Sequence, residues 1–392
     1  MNGMKSIILK TSLFSFFLIP ISVSGISINY SFVFYCLFIF FYRKKIIKPP
    51  KFVTIFLIYL IGIFLFSHFL TLYSNPYLLR SLVSFLIFIS IFSFSYVNIK
   101  KDEILAFKYS LIFISLIFSF SSIYTTLHLG ISSGADAKVL VGSQRIGFIY
   151  LCSIWILFLS ENLFKGFIQN KLRFLGIIII FIGLLLTFSR SSIVSLIISI
   201  FFYLAIKFKY LFKINFKTSM RLLVVSSLIV YTTFFILPEI SFFADFYSAR
   251  LFNLILSGEL LNNLSDMTSS EGQRLTIWGQ IFNKSIENPF FSNSFLGYWS
   301  LKGSITGSSH NQILDVLLRT GILGTIFYLY LLYVVSRTLF IKHFDLFLAF
   351  FSVLVYGLFH ETFKESHGAF MLSFFIGILS NERQGLYLKN EI

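Results

Sequence analysis

Long apolar runs alternate with short polar connections along almost the whole of this 392-residue chain. Runs of about 17–25 apolar residues are long enough to cross a bilayer as an α-helix. The pattern therefore predicts an all-α polytopic membrane protein with about twelve transmembrane helices. The predicted spans cover residues 8–24, 26–42, 52–73, 78–98, 104–127, 144–160, 174–188, 191–206, 222–237, 313–335, 345–361 and 369–380.

Lysine and arginine are concentrated in every second connection between these spans. The cationic connections are residues 43–51, 100–101, 165–173, 207–221 and 337–342. Loops rich in lysine and arginine stay in the cytoplasm. This side of the membrane is therefore expected to be cytoplasmic, and both termini are expected to lie there.

One polar segment, residues 238–312, is much longer than the others and falls on the outward side. It divides the chain into a bundle of about nine spans (1–237), a large periplasmic loop (238–312) before the tenth span, and C-terminal helices with a short cytoplasmic tail (313–392).

Two stretches of the loop have apolar residues at helical spacing. Residues 241–261 predict a helix lying in the membrane interface, and residues 271–287 predict a second amphipathic helix. Asn288 and Pro289 end the second helix. The passage 290–309, rich in Gly, Ser and Asn, predicts a loop that can bring its backbone close to a ligand.

Composition supports the membrane assignment and excludes several kinds of chemistry. The chain is 57% hydrophobic and 12% charged, with mean hydropathy +0.86 and net charge +16. The cations lie in short connections, so no nucleic acid is expected. Cys36 and Cys152 lie in apolar runs without disulfide or metal spacing. Since no phosphate-binding glycine loop, HExxH motif or paired acidic motif occurs, no cofactor or metal is expected.

Three arginines are candidate anion-binding residues on the outward side: Arg145, Arg190 and Arg274. Arg190, in TFSRSSIV, stands between two apolar runs, where a cation is costly unless it is paired or functional. Each arginine could instead reach towards lipid phosphate or lie on a solvated helix face. Together they make a diphosphate site plausible, because guanidinium binds phosphate oxygens bidentately.

His310 and Asn311 precede the tenth span. His310 titrates near neutral pH at the water–membrane border and is a candidate general base, although a lone histidine is more often structural. Asn311 is a candidate ligand contact and also a good helix cap.

Two further groups of charged residues have both structural and chemical interpretations. Arg319 and Asp315, spaced i,i+4, are expected to form a buried ion pair. The outward turn 360–367 could form a second acid/base cluster, but a solvated turn is the preferred interpretation.

The chain resembles the O-antigen polymerase and O-antigen ligase superfamily of bacterial inner-membrane glycosyltransferases. The resemblance rests on TFSRSSIV, on the passage QRLTIW…IENPFFSNSFLGYW, and on SSHNQILDVLLRTGILGTIFYLYLL. The order of the spans and the large outward loop also match, and the motifs cover roughly the C-terminal half. The chain looks most like an O-antigen polymerase.

The resemblance implies transfer of a glycan from undecaprenyl diphosphate, outside the inner membrane and without a metal or nucleotide. Arg190 and Arg274 would hold the diphosphate, Arg145 matches a looser arginine position, and His310 is the candidate base. A chain-length regulator and a flippase would be candidate partners, beside membrane lipid.

Aromatic residues of the loop could stack on sugar faces or anchor the loop at the membrane interface. They are Trp278, Tyr298 and Trp299.

Several functions fit the same pattern. A polymerase would pass the glycan to the next lipid-linked repeat unit, whereas a ligase would pass it to lipid A–core. A transporter or flippase for the lipid-linked glycan should carry charges within several spans and show two related halves. An assembly scaffold would tolerate loss of Arg190 and His310.

Overall fold

The computed structural model describes most of the predicted bundle but only part of the long outward segment. It describes residues 2–19, 21–23, 26–28, 47–71, 78–129, 146–160, 167–187, 189–211, 270–290, 292–293, 295–298, 301 and 308–389. The predicted span 222–237 and the predicted interfacial helix 241–261 lie outside the described residues.

Helices dominate the described part of the chain, as the sequence predicts. The α-helices are α1 (Asn2–Leu18), α2 (Lys51–Thr71), α3 (Leu78–Ser90), α4 (Lys101–Leu129), α5 (Gly147–Leu159), α6 (Phe167–Leu186), α7 (Arg190–Leu211), α8 (Ser270–Glu287), α9 (Gln312–Lys342), α10 (Phe344–Gly357) and α11 (Ser366–Lys389). Two short 3₁₀-helices, Ser93–Tyr96 and Thr362–Lys364, precede α4 and α11.

A small antiparallel strand pair replaces helix near the first two predicted spans. α1 ends at Leu18, and β1 (Ile21–Val23) pairs with β2 (Ile26–Ile28). Proline at position 20 explains the early end of α1, because a proline within a helix lacks the N–H and clashes with the preceding turn. Helix was expected to continue over these residues, so the prediction differs from the structure here.

The core lies where the helices pack side by side. α1 packs on α4, and α5 packs among α4, α6 and α10. Phenylalanine fills much of this core: Phe107, Phe370 and Phe374 contact one another with ring centroids 4.1–6.5 Å apart. The apolar runs therefore supply the packing between helices.

Apolar side chains also cover the outside of the bundle. On α9 the exposed ones recur at helical spacing along one face: Ile322, Ile326, Leu329, Tyr330 and Tyr333. By length and composition, two described helices can cross a membrane, Lys101–His128 and Gln312–Lys342, and several others are apolar but shorter. Such continuous exposed apolar faces suit contact with lipid.

The cationic connections meet at one end of the bundle. Lys101, Arg173, Lys207 and Lys342 come from four different predicted inward connections and line the same cavity. The start of α7, the start of α9 and the residues after α10 meet at the other end, where Ser191 contacts His360 and Asn311 contacts Leu358. This arrangement agrees with the alternation of sides inferred from the charges.

α9 is broken one third of the way along its length. Gly321 has φ 69° and ψ −173° inside the helix. The segment after α8 inserts there: Asn293 N donates to Leu318 O (3.0 Å), Phe295 N to Arg319 O (3.2 Å), and Ile322 N to Pro289 O (2.8 Å). Irregular backbone at membrane depth persists only where protein satisfies its polar groups, which these bonds do.

Phe295 anchors the inserted segment in the bundle. Its side chain is fully buried, and its ring lies 5.2–6.2 Å from the rings of Phe64, Phe85 and Phe88. α8 packs on α9 beside this segment. The insertion therefore fixes α8, and with it Arg274 and Trp278, against the start of α9.

Candidate functional site

Asn311 begins α9 and joins it to the end of α10. Its side-chain oxygen accepts hydrogen bonds from Ile313 N (2.9 Å) and Leu314 N (3.0 Å), as an N-cap does. Its Nδ2 donates to Leu358 O (3.0 Å). The expected helix cap is confirmed, and the substrate contact expected of Asn311 stays a prediction.

His310 occupies a strained backbone position immediately before this cap. Its φ is 53°, in the left-handed region that costs a non-glycine residue about 1–3 kcal/mol. Such strain persists only where the surroundings hold it. The backbone conformation thus fixes the position of the half-buried imidazole just before the start of α9.

Ser309 is the residue through which His310 is held. Trp278 Nε1 of α8 donates to Ser309 O (3.0 Å). Ser309 Oγ lies within hydrogen-bond distance of two acceptors, Asn311 O (2.8 Å) and Glu361 Oε1 (2.7 Å), and its single proton can be donated to either. Ser309 N also donates to Glu361 Oε1. These contacts from α8 and from the segment after α10 fix the backbone beside His310.

Glu361 is a buried carboxylate rather than part of a solvated turn. Its side chain is 8% exposed, and Oε2 accepts from Lys364 Nζ at 2.7 Å. Burial by itself would raise the pKa of Glu361, but Lys364, Ser309 and Arg319 outweigh it and hold the pKa well below its usual value. The carboxylate is ionised at physiological pH and therefore orients Ser309 rather than accepting a substrate proton.

His360 brings a second imidazole to the site. Its Nε2 lies 2.7 Å from Ser191 Oγ, and its ring stacks on Tyr356 with centroids 4.5 Å apart. Burial, the Arg274 cation and His310 together lower the pKa of His360 to about 4. The ring is neutral at pH 7 and can accept or donate a hydrogen bond.

Arg274 acts electrostatically on both imidazoles. Burial and then the Arg274 cation lower the pKa of His310 below its usual 6.5; Glu361 opposes this shift, and Lys364 adds to it. The Arg274 cation therefore favours the neutral form of both imidazoles. This combination can bind an anion and accept a proton in the same place.

The structure brings together five residues of the site, some predicted and some newly found, from three segments of the chain. Arg274 and Trp278 come from α8, His310 from the start of α9, and His360 and Glu361 from the turn after α10. Arg190 is the first residue of α7, directly before Ser191, which contacts His360. Arg145 lies outside the described residues.

The preference for a solvated turn at 360–367 is wrong. Glu361 and His367 are buried, and His367 stacks on Phe148 with ring centroids 5.0 Å apart. The available signal was the density of His and Glu at the outward end of a span. It could not show that this turn packs against residues 309 and 191, which are remote in sequence.

The described residues after α8 pack against α9 and do not face an open ligand-binding space. Tyr298 is 1% exposed, its hydroxyl donates to Gln280 Oε1 (2.8 Å), and its ring packs with Ile281 and Leu318. Stacking of Tyr298 on a sugar, one of the two expectations for it, does not fit this burial. Trp299 lies outside the described residues, while Trp278 is partly exposed.

The expected ion pair in α9 is confirmed. Arg319 Nε lies 2.7 Å from Asp315 Oδ2, with both side chains at most 4% exposed. Arg319 Nη1 also donates to Phe295 O (2.9 Å) and to Ser84 Oγ. The two opposite charges therefore neutralise each other and tie the inserted segment to α3, although Asp315 Oδ1 has no hydrogen-bond partner among the described residues.

Among the described residues, no group of three or more His, Cys, Asp or Glu side chains is placed to hold a metal ion. Glycan transfer without a metal stays a prediction.

Comparison with known families places this site in context. Residues 175–329 match the family model described as O-antigen ligase. The match includes α7, α8 and the first part of α9, and it ends before His360 and Glu361. No curated protein matches the chain. The family match confirms the resemblance inferred from the motifs and indicates a role in glycan transfer during lipopolysaccharide synthesis.

Proposed function

We propose that this chain, a member of the O-antigen polymerase and ligase superfamily, is a repeat-unit polymerase of a surface polysaccharide. It would transfer a polyprenyl-diphosphate-linked glycan to the next lipid-linked repeat unit on the periplasmic side. The observation that carries this proposal is the convergence of three segments at the outward end of the bundle. α8, which carries Arg274, donates from Trp278 to Ser309 beside His310, and Ser309 in turn contacts Glu361, the neighbour of His360.

The leaving group explains the need for arginine. A polyprenyl diphosphate departs with the electron pair of the bond to the anomeric carbon, and its charge grows in the transition state. A fixed guanidinium stabilises that charge most strongly where water is excluded. Arg274 is the described candidate, and Arg190 and Arg145 complete the proposed diphosphate site.

The imidazoles supply the complementary proton transfer. As an acceptor-sugar hydroxyl oxygen attacks the anomeric carbon, its proton passes to a neutral nitrogen, for which we assign His310. The lowered pKa of His310 keeps it unprotonated at neutral pH. His360, which is hydrogen-bonded to Ser191, is a second candidate for this proton.

The direction of attack predicts the stereochemistry. Attack opposite the departing diphosphate inverts the anomeric centre. Comparison of the glycosidic linkage in the product with the anomeric configuration of a defined donor tests this, and retention would refute direct displacement.

The transmembrane helices would contribute to catalysis by aligning the donor and the acceptor. Both substrates of a polymerase carry a polyprenyl chain, and lipid-facing helices hold such chains at one depth. The encounter of donor and acceptor then becomes effectively intramolecular, which can contribute several kcal/mol to catalysis, at most about 7–11 kcal/mol.

A ligase is the second candidate, favoured by the description of the matched family as O-antigen ligase. The proposed diphosphate site and proton acceptor serve both reactions equally, because only the acceptor differs. A lipid-linked glycan transporter is a third candidate from another class. The Asp315–Arg319 pair within the span is buried and its two charges neutralise each other, which argues against its use as an ion site by such a transporter.

The experiment is complementation of a strain deleted for this gene, with surface polysaccharide resolved on a gel. Lipid A–core capped by a single repeat unit in the deletion strain supports the polymerase. Bare core with polymer retained on the carrier supports the ligase. Arg190→Ala, Arg274→Ala and His310→Ala are expected to behave like the deletion at matched expression.

Lys284→Ala is the matched control. Lys284 is on the same helix as Arg274 but pairs with Glu287 at the surface, at 2.7 Å. This variant should complement fully. If Arg274→Ala and His310→Ala complement as well as Lys284→Ala does, the proposed site is wrong and a scaffold or transporter becomes the better explanation.

A further inference from the structure

An open cavity lies at the end of the bundle opposite His310. It has a volume of about 920 Å³ and is lined by parts of α4, α5, α6, α7, α9 and α10. α9 joins the two ends of the bundle. It begins at Gln312, beside His310, and ends at Lys342, which lines this cavity. The cavity is therefore separate from the proposed glycan-transfer site.

The lining of this cavity is strongly cationic. Five cationic side chains face one carboxylate, that of Asp345; the cations are Lys101, Lys108, Arg173, Lys207 and Lys342. Asp345 is already engaged, since Lys108 Nζ and Ser160 Oγ both donate to its Oδ2. The Lys108 and Asp345 side chains are 14% and 11% exposed, so their charges largely cancel within the wall. An excess of positive charge is left around the cavity.

Arg173 supplies an independent indication of an anionic ligand. Its Nη1 is buried and has no hydrogen-bond partner among the described residues. A buried guanidinium N–H without an acceptor is costly, and a phosphate oxygen is the acceptor whose geometry suits it best. Arg173 lies on the first turns of α6, in one of the connections assigned to the cytoplasmic side.

The shape of the cavity points to a ligand larger than a bare phosphate. Apolar side chains, including Phe158, Leu159 and Phe344, line the wall beside the cations. Lys207 Nζ lies 5.8 Å from the centre of the Tyr203 ring, so its ammonium is positioned over an aromatic face of the same cavity. A charged rim next to an apolar wall at a membrane surface is typical of sites for lipid headgroups.

We propose that this cavity binds a phosphate-bearing anion, specifically the headgroup of an acidic phospholipid of the leaflet opposite the glycan-transfer site. Arg173 would hold the phosphate, Lys207 and Lys101 would complete the charge balance, and the apolar wall would receive the first methylenes of the acyl chains. The site requires no glycan substrate and is independent of the proposed transfer reaction.

The test is titration of the full-length protein in a neutral detergent with short-chain phosphatidylglycerol, followed by native mass spectrometry and by the Tm. Phosphatidylcholine of the same chain length serves as the neutral comparison. Phosphatidylglycerol should bind and raise the Tm, and phosphatidylcholine should not. Arg173→Gln should weaken binding about tenfold, as expected for loss of one charge-assisted hydrogen bond.

Lys171→Gln is the matched control, because Lys171 is an exposed cation on the same helix that does not line the cavity. This variant should bind phosphatidylglycerol like the parent. Lys207→Gln is a second cavity variant that keeps the test decisive if Arg173→Gln fails to fold. It is expected to weaken binding in the same direction.

Inorganic pyrophosphate distinguishes the sources of the phosphate. Competition by pyrophosphate against phosphatidylglycerol supports a site that recognises phosphate and is filled by lipid. Binding of pyrophosphate without binding of phosphatidylglycerol overturns the lipid assignment in favour of a soluble anion. Equal binding of phosphatidylglycerol by the parent, Arg173→Gln and Lys207→Gln overturns the proposal itself.

Discussion

Replacing Gly321 by alanine tests whether the inserted segment after α8 holds the candidate site together. At φ 69° and ψ −173°, Gly321 occupies a region of backbone space that is essentially restricted to glycine. A Cβ there would meet the carbonyl oxygens of Phe290 and Pro289, the latter at 2.6 Å. Both partners are backbone atoms, so relief requires movement of the segment itself.

The expected loss of stability has two parts. An alanine forced into this conformation costs about 1–3 kcal/mol. Movement of the segment disturbs three backbone hydrogen bonds of 2.8–3.2 Å across the break, each contributing about 1 kcal/mol. A total of about 4–6 kcal/mol, at roughly 2 °C per kcal/mol for a chain of this size, lowers the Tm by roughly 8–12 °C.

The measurement is the Tm of full-length protein in detergent, with complementation followed at reduced temperature. α8 carries Arg274 and Trp278 and is fixed through this segment, so glycan transfer should fall even where the protein remains folded. Gly279→Ala is the control, because no atom lies within 4 Å of a Cβ at Gly279 and alanine favours the helix by about 0.5–1 kcal/mol. If Gly321→Ala matched Gly279→Ala in both Tm and activity, the insertion would have no such role.

Three further predictions concern the site itself. Activity should stay level as the pH falls to about 6.5 and decline only through the lowered pKa of His310. Arg274→Gln should raise the pKa of His310 and move the decline in activity to higher pH. Arg274→Lys should leave the pH of the decline unchanged but lower kcat/KM about tenfold, because the bidentate contact is lost. The measurement is the pH profile of each variant with a defined lipid-linked donor, and identical profiles for the two variants would contradict the prediction. Glu361→Gln keeps the shape of the side chain but removes the negative charge that holds Ser309. We therefore expect kcat to fall about tenfold with the KM for the donor unchanged. A change in KM alone would indicate that Glu361 contacts the substrate. Asn311→Ala should cost about 1 kcal/mol, seen as a lower Tm, and Asn311→Ser should restore most of it, since serine also caps helices; equal Tm values would show that the cap contributes nothing.

Local features of the site were predictable from the sequence. The cap at Asn311 and the Asp315–Arg319 pair depend on neighbours within four residues, so spacing alone predicts them. The start of α9 and most helices of the bundle follow from apolar runs and polar connections. The early end of α1 also had a local signal in the proline at position 20, which the hydropathy of the run obscured.

Contacts between remote segments were not predictable in this way. Ser309 and Glu361 are 52 positions apart, and nothing in either segment specifies the other as its partner. Gly321 stands in an uninterrupted apolar run, where a single glycine usually continues a helix at some cost in stability. The conformation of Gly321 is decided by the segment that enters the break. Phe295 anchors that segment through ring contacts that exist only in the assembled bundle.

The break in α9 also has a consequence for the order in which the protein is made. Pro289 and Asn293 leave the ribosome before Gly321 does, so the donors and acceptors that complete the break are already synthesised when α9 enters the membrane. The second half of α9 can therefore pack against the segment after α8 as it inserts. Its backbone groups at the break need not enter the hydrocarbon without hydrogen-bond partners. A chain rearranged to begin at α9 would reverse this order and present the incomplete break to lipid first.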